Sequence, residues 1–350
     1  MCIGLLPVDA YSGVSVTLPL TEDFSNDWLK DASRTSANWS TEEQEVALQW
    51  RNRLGSGKVG LPASGTLVGS SDFNVTYDLA VGDVDGDGDL DVVAGIDGPN
   101  RLYLNDGDSA PFDSIVNGDI IGSGDSDRTF AVELADMDGD GDLDLVAGND
   151  TDLRNRLYLN NGGSTPFDGI VNGLVIGSSA YNSTISLAVG DVDEDGDRDI
   201  VVGNFDWNRL YLNNGSNNPF SGIANGAVIG SAEFDSSYDV ELGDLNGNGK
   251  LDLVVGNYFG ANRLFLNNGS ASPFTGTANG AILGSAETDP TVDIALGDVD
   301  GDGDLDVVAG NYSGTRTKYY VNDGDSNPFN GISSGIEIGP SDSDSTLYVG

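Results

Sequence analysis

The chain has 350 residues, with 57 acidic and 15 basic side chains, no histidine, one cysteine and 50 glycines. A formal charge of −42 repels phosphate backbones and anionic lipid, which argues against nucleic acid or a membrane surface as partner. Without histidine there is no Ser-His-Asp or Cys-His pair and no imidazole metal ligand, and Cys2 alone can form neither an intrachain disulfide nor a thiolate cluster.

Residues 1–60 come first and carry no repeat. They read as a linker, an extra hairpin or the end of a preceding domain. The opening Met1-Cys2-Ile3-Gly4-Leu5-Leu6-Pro7 lacks a basic region and makes a poor signal peptide. No apolar run approaches the ~20 residues needed to span a bilayer, so no membrane insertion is expected.

Residues 61–350 repeat, and the period sets the architecture. An acidic string begins at Asp83 and returns at Asp136, Asp191, Asp244 and Asp298, at intervals of 53, 55, 53 and 54 residues. A second string, Asn-Arg-Leu-Tyr-Leu-Asn, starts at Asn100, Asn155 and Asn208, with variants at Asn262 and Thr317. A third begins with Pro-Phe at Pro111, Pro166, Pro219, Pro273 and Pro328.

Each unit predicts four short strands. Leu79 and Val81 alternate with small or polar residues and lead into the acidic loop. Asp91-Val92-Val93-Ala94-Gly95 is apolar on both faces, as a strand covered on both sides should be. Leu102 and Leu104 alternate with Arg101, Tyr103 and Asn105, and Asn-Gly and Pro-Phe turns precede a fourth strand such as Leu174-Val175-Ile176. Four antiparallel strands every ~54 residues predict an all-β fold, a β-propeller of four-stranded blades, better than an open β-solenoid with its shorter coils.

The acidic loops carry the chemistry. Side-chain oxygens recur at positions one, three, five, seven and nine, with glycine at position six in every copy. The first three loops supply Asp83, Asp85, Asp87, Asp89 and Asp91; Asp136, Asp138, Asp140, Asp142 and Asp144; and Asp191, Asp193, Asp195, Asp197 and Asp199. The fourth has Asp244, Asn246, Asn248, Lys250 and Asp252, and the fifth Asp298, Asp300, Asp302, Asp304 and Asp306. A hard cation surrounded by six to eight oxygens, with a glycine for the sharp turn, requires this pattern, so about five Ca²⁺ ions are expected, one per loop. Magnesium, which wants a strict octahedron, suits it less. Asp-Gly pairs also make hairpin turns, but turns alone do not account for alternating carboxylates. Position seven should bind through its backbone carbonyl, because Lys250 there cannot ligate through its side chain.

The string Gly-Asp-Leu-Asp-Leu-Val-Ala-Gly-Asn at Gly141 to Asn149, followed by Asn155-Arg156-Leu157-Tyr158-Leu159-Asn160-Asn161-Gly162, resembles the FG-GAP/VCBS-type repeat of the integrin α-subunit propeller and of many bacterial and algal surface proteins. The resemblance implies a calcium-bearing propeller of about seven blades, extracellular or at the cell surface. Where the integrin repeat has Gly-Ala-Pro, this chain has Val-Ala-Gly-Asn or Val-Val-Gly-Asn, which is nearer the VCBS-like branch, and integrin-type ligand binding is not carried over.

The expected function is therefore a non-enzymatic adhesion or recognition module with structural calcium. Its protein or glycan ligand would sit on a loop face. A glycan-binding lectin is the alternative, and the propeller of a carbohydrate-active enzyme a more distant one. The basic column Arg101, Arg156, Arg209, Arg263 and Lys318 is expected to pair with neighbouring aspartates, and the column Tyr103, Tyr158, Tyr211, Phe265 and Tyr320 to pack between blades. Five complete repeats with partial ones at either end also read as a piece of a larger ring: Thr346-Leu347-Tyr348-Val349-Gly350 aligns with the strand that precedes the fifth loop.

Overall fold

The structure is a computed structural model that describes residues 68–69, 74–108, 111–150, 154–177, 183–230, 236–275, 280–284, 288–312 and 315–338. The expectations for residues 1–60 and for the strand at 346–350 lie outside these.

Twenty strands form five antiparallel sheets of four, each in sequence order, and the described residues contain no helix. The first sheet comprises β1 (Thr76–Gly82), β2 (Asp91–Ile96), β3 (Asn100–Tyr103) and β4 (Asp119–Ile121). The second comprises β5 (Thr129–Ala135), β6 (Asp144–Asn149), β7 (Asn155–Tyr158) and β8 (Leu174–Ile176). Then come β9 (Thr184–Gly190), β10 (Asp199–Asn204), β11 (Asn208–Tyr211) and β12 (Ala227–Ile229); and β13 (Ser237–Gly243), β14 (Asp252–Asn257), β15 (Arg263–Phe265) and β16 (Ala281–Ile282). The last has β17 (Thr291–Gly297), β18 (Asp306–Asn311), β19 (Lys318–Tyr320) and β20 (Ile336–Glu337). These are the blades of a propeller.

The first strands converge, β1 on β5, β5 on β9, β9 on β13 and β13 on β17. The fourth strands lie outermost, are two or three residues long and are mostly exposed. Closure of the ring is not seen among the described residues.

The second strands explain why sheets stack. In β6, β10 and β14 every residue is buried, because both faces of an apolar run meet a neighbour. Four hydrophobic cores accordingly lie between neighbouring sheets. Val93, Leu102 and Ile121 of the first pack with Val132, Leu145, Tyr158 and Phe167 of the second. The Pro-Phe string is placed by the same packing: Phe167, Phe220, Phe274 and Phe329 are at most 6% exposed. Each such side chain removed from water contributes about 1.5–3 kcal/mol.

The glycine of Val-Ala-Gly-Asn or Val-Val-Gly-Asn marks a close approach of one blade to the next. A Cβ on Gly148 would stand 2.6 Å from Thr184 Cγ2, and one on Gly256 would stand 2.8 Å from Ile294 Cγ1.

Candidate metal centre

Each acidic loop joins the first strand of a blade to the second, so all five lie at the same end of their sheets. The loops are folded largely by their own carboxylates. At position one, Asp83 Oδ1 accepts from Gly86 N at 2.9 Å and its Oδ2 from Gly88 N at 3.0 Å. Asp136 and Asp298 do the same in their loops. Asp191 and Asp244 accept instead from the position-five and position-six amides. The position-six glycines stand at φ between +85° and +101°, a region closed to most L side chains, which is why glycine recurs there.

Position nine is the first residue of the second strand and the most buried. Asp91, Asp144, Asp199, Asp252 and Asp306 are at most 1% exposed, and each accepts two backbone N–H groups. Asp144 Oδ2 takes Met137 N at 2.9 Å and its Oδ1 takes Asn160 N at 2.7 Å. Burial pushes the carboxyls of Asp91 and Asp252 up to about 6 and those of Asp144 and Asp199 up to about 7. At position three, burial and then the charge of the position-five neighbour raise Asp85, Asp138 and Asp193.

Positions five and seven are placed differently. The position-five oxygen accepts the position-seven N–H in every loop, as in Asp87 with Asp89 at 3.0 Å and Asn248 with Lys250 at 2.9 Å. The position-seven side chain leaves the loop and lies against the glycine of the Asn-x-Gly turn. A Cβ on Gly107 would meet Asp89 Oδ2, and one on Gly269 would meet Lys250 Cε. Lys250 is therefore accommodated where aspartate stands elsewhere.

Ligand-capable oxygens converge within 4.8 Å of one another in three groups of one pattern: Asp83, Asp85 and Asp91; Asp136, Asp138 and Asp144; Asp191, Asp193 and Asp199. In the fifth loop the group is Asp298, Asp300 and Asp302, all exposed. The fourth loop has only two acids, Asp244 and Asp252, at the three positions that make up the first pattern. Two atoms test the fit to a cation. Asp138 Oδ1 and Asp193 Oδ1 are buried, and neither has a hydrogen-bond partner. Carboxylate oxygens crowded together, one of them unsatisfied, fit a hard divalent cation and leave nothing for a soft one.

The columns that sequence singled out resolve clearly. Tyr103, Tyr158, Tyr211, Phe265 and Tyr320 are at most 6% exposed and pack between blades. The arginines share an anchor that was not expected, a carbonyl 17 residues further on. Arg101, Arg156, Arg209 and Arg263 donate from Nη1 to the oxygens of Gly118, Gly173, Gly226 and Gly280. The reason is register, which brings the third strand beside the start of the fourth. Arg156 also pairs with Asp125 at 3.1 Å, and Lys318 with Asp289.

Two features escaped the sequence reading. Glu194 stands at position four of the third loop, where the other loops have glycine, at φ 60°, and its carboxylate pairs with Lys250 of the fourth. Both residues break the repeat, and that was the available signal. At the opposite end of the sheets, Phe205, Tyr238, Tyr258, Phe259 and Tyr312 form a chain of ring contacts across three blades. Tyr238 stacks on Tyr258 at 4.7 Å, and Phe205 and Phe259 meet them edge-on. Phe259 is 64% exposed.

A family model described as "FG-GAP-like repeat" matches residues 83–147, 136–202, 191–255 and 244–309. No curated protein sequence matches the chain. Among solved structures, the V. cholerae biofilm matrix protein Bap1 matches 76% of this chain and 40% of its own, at 19% identity and a TM-score of 0.43. BBS1N, crystallised in complex with ARL6DN, matches 70% of this chain and 66% of its own, at 10% identity and a TM-score of 0.43. The chain thus spans well under half of the Bap1 chain and about two thirds of the BBS1N chain.

Proposed function

The chain belongs to the FG-GAP-like repeat family, and from that premise we propose that it is a calcium-stabilised, non-enzymatic recognition module acting outside the cell. The observation that carries the calcium reading is the unsatisfied, buried Oδ1 of Asp138 and Asp193 inside groups of three convergent carboxylates. Calcium would be held by the odd-numbered positions of each loop, with position seven contributing its carbonyl. Its contribution is charge neutralisation, which lets carboxylates crowd where blades meet. Melting in calcium and after metal removal tests this. A ligand that binds only the folded chain must raise the midpoint, by about 2.7 kcal/mol per site at a hundredfold excess over Kd. Equal midpoints would sink the proposal.

The ligand would bind away from the loops, at the end bearing Phe205, Tyr258, Phe259 and Tyr312. Exposed rings on a strongly acidic chain favour a neutral glycan or a protein surface over any polyanion. The glycan reading is the second one, favoured by the exposure of the Phe205, Phe259 and Tyr312 rings. A glycan array run with the chain and its Phe259→Ala variant decides between them: binding that Phe259→Ala abolishes makes it a lectin. Turnover of polysaccharides would reveal an enzyme. The raised carboxyls Asp91, Asp144, Asp199 and Asp252 suit acid–base work poorly, since each is already held by two backbone N–H groups.

A further inference from the structure

Residues 82–95 and 297–310 are the same sequence, Gly-Asp-Val-Asp-Gly-Asp-Gly-Asp-Leu-Asp-Val-Val-Ala-Gly. The two loops nevertheless differ in structure. In the first, Asp83, Asp85 and Asp91 converge and Val84 at position two is 3% exposed. In the fifth, Asp298, Asp300 and Asp302 converge, all exposed, and Val299 is 51% exposed. Since the residues are identical, the difference comes from what surrounds them. The first loop has another blade packed after it; among the described residues the fifth has none.

The next blade reaches each covered loop through one side chain. Asn160, the last residue of the Asn-Arg-Leu-Tyr-Leu-Asn string in the second blade, donates from Nδ2 to Val84 O at 2.8 Å. Asn213 donates to Met137 O at 2.8 Å, Asn267 to Val192 O at 2.7 Å and Asn322 to Leu245 O at 2.6 Å. The acceptor is always the position-two carbonyl, between the ligand-bearing positions one and three. Position two is buried in all four, at 3%, 2%, 1% and 1% exposure. The same asparagines are fixed in their own blades by the position-nine carboxylate, which also holds the position-two amide there. Asp144 takes Asn160 N and Met137 N, and Asp199 takes Asn213 N and Val192 N. A chain of hydrogen bonds thus runs from Val84 through Asn160, Asp144, Met137, Asn213 and Asp199 onward.

We propose that each acidic loop is completed as a cation site by the following blade, with Asn160, Asn213, Asn267 and Asn322 as its positioning residues. Pinning the position-two peptide sets the spacing of the carboxylates on either side of it, so a covered loop is ordered before a cation arrives. Because position nine in one blade steadies the asparagine that serves the preceding loop, neighbouring sites also assist one another, and equally in both directions. This inference rests on the calcium reading above.

The test needs affinities resolved loop by loop. The position-six amide reports on each, since Gly88 and Gly303 donate to Asp83 Oδ2 and Asp298 Oδ2 and have counterparts in the other loops. The 350-residue chain, stripped of metal, is titrated with calcium alone and the five glycine amides are followed by NMR. The first loop is expected to bind about five-fold or more tightly than the identical fifth. Asn160→Ala should bring the first loop down to the fifth's affinity and leave the fourth unchanged. Equal affinities of the first and fifth loops in the unsubstituted chain overturn the inference, and that comparison needs no variant to fold. A uniform fall across all loops in Asn160→Ala, the mark of a merely structural role, overturns it too. If no glycine amide responds to calcium, the calcium reading itself falls, which is a separate result.

Discussion

Replacing Asp144 by asparagine separates what its carboxylate does for the chain from what it does for a cation. The side chain is 0% exposed and receives Met137 N and Asn160 N at 2.9 and 2.7 Å. Asparagine has one oxygen, so whichever way the amide turns, one buried N–H faces an NH₂ group. Orphaning a buried donor costs about 1–3 kcal/mol. Without metal at pH 6 that cost is already present, because burial raises the Asp144 carboxyl to about 7 and the protonated acid also directs an O–H at one donor. Asp144→Asn should then change the metal-free melt by less than ~1 kcal/mol. In calcium the ionised carboxylate accepts both N–H groups and serves the ion as well. The variant there loses the second acceptor and a charged ligand together. Added to the metal-free difference, the roughly 2.7 kcal/mol that a site at a hundredfold excess of calcium supplies brings the loss in calcium to at most about 3–4 kcal/mol. Calorimetry of both proteins in calcium and after metal removal reads the two differences directly. An equal loss in both conditions would refute the reasoning, since the carboxylate would then have no ion to serve.

Three further outcomes follow from the same loops. The fourth loop, with Asn246, Asn248 and Lys250 in place of acids, should fill last as calcium is added, because affinity tracks the number of charged ligands; anomalous diffraction at stepped calcium concentrations reads this, and filling of the Asp244 site at or below the concentration for Asp83 would contradict it. Glu194→Gly should raise the melting midpoint by the equivalent of about 1 kcal/mol, as the αL strain at φ 60° is relieved and only an exposed pair with Lys250 is lost; a lower midpoint in thermal denaturation would count against it. Finally, Asp91, Asp144, Asp199 and Asp252 have folded values of about 6 to 7, above the ordinary carboxylate value, so the native metal-free chain holds the extra protons. Stability from these groups is full below about pH 4 and lost as pH rises through 7. The metal-free midpoint should therefore fall between pH 5 and pH 8, while the gain on adding calcium grows over the same interval; melts at the two pH values check both signs.

The repeat makes the blades legible in the sequence alone. Strand two could be read because Asp91-Val92-Val93-Ala94-Gly95 is apolar on both faces, and the loops because aspartates alternate around a fixed glycine. The pairing of Asn160 with Val84 could not be read, since it spans 76 residues and an asparagine before Asn-Gly looks like ordinary turn chemistry. The basic column was legible in part, since Arg156 pairs with Asp125 and Asp127 and Lys318 with Asp289 as expected. What one string does not show is strand register, which gives Arg101 the Gly118 carbonyl and gives the other arginines its counterparts. The aromatic array was hidden because its column changes chemistry: Asp97 and Asp150 occupy the positions that Phe205, Tyr258 and Tyr312 take in later blades.

The short outermost strands bear on how such a chain behaves when crowded. A sheet of four strands has an open rim, and unpaired N–H and C=O groups along a rim template intermolecular pairing. Here the rims are Asp119–Ile121, Leu174–Ile176, Ala227–Ile229, Ala281–Ile282 and Ile336–Glu337. Two or three residues offer too little ladder for a foreign strand to nucleate on, and acidic side chains such as Asp119 and Glu337 repel another copy of the same chain. Among the described residues all five rims are thus blunt, and none offers a ladder long enough to seed fibrils from these sheets.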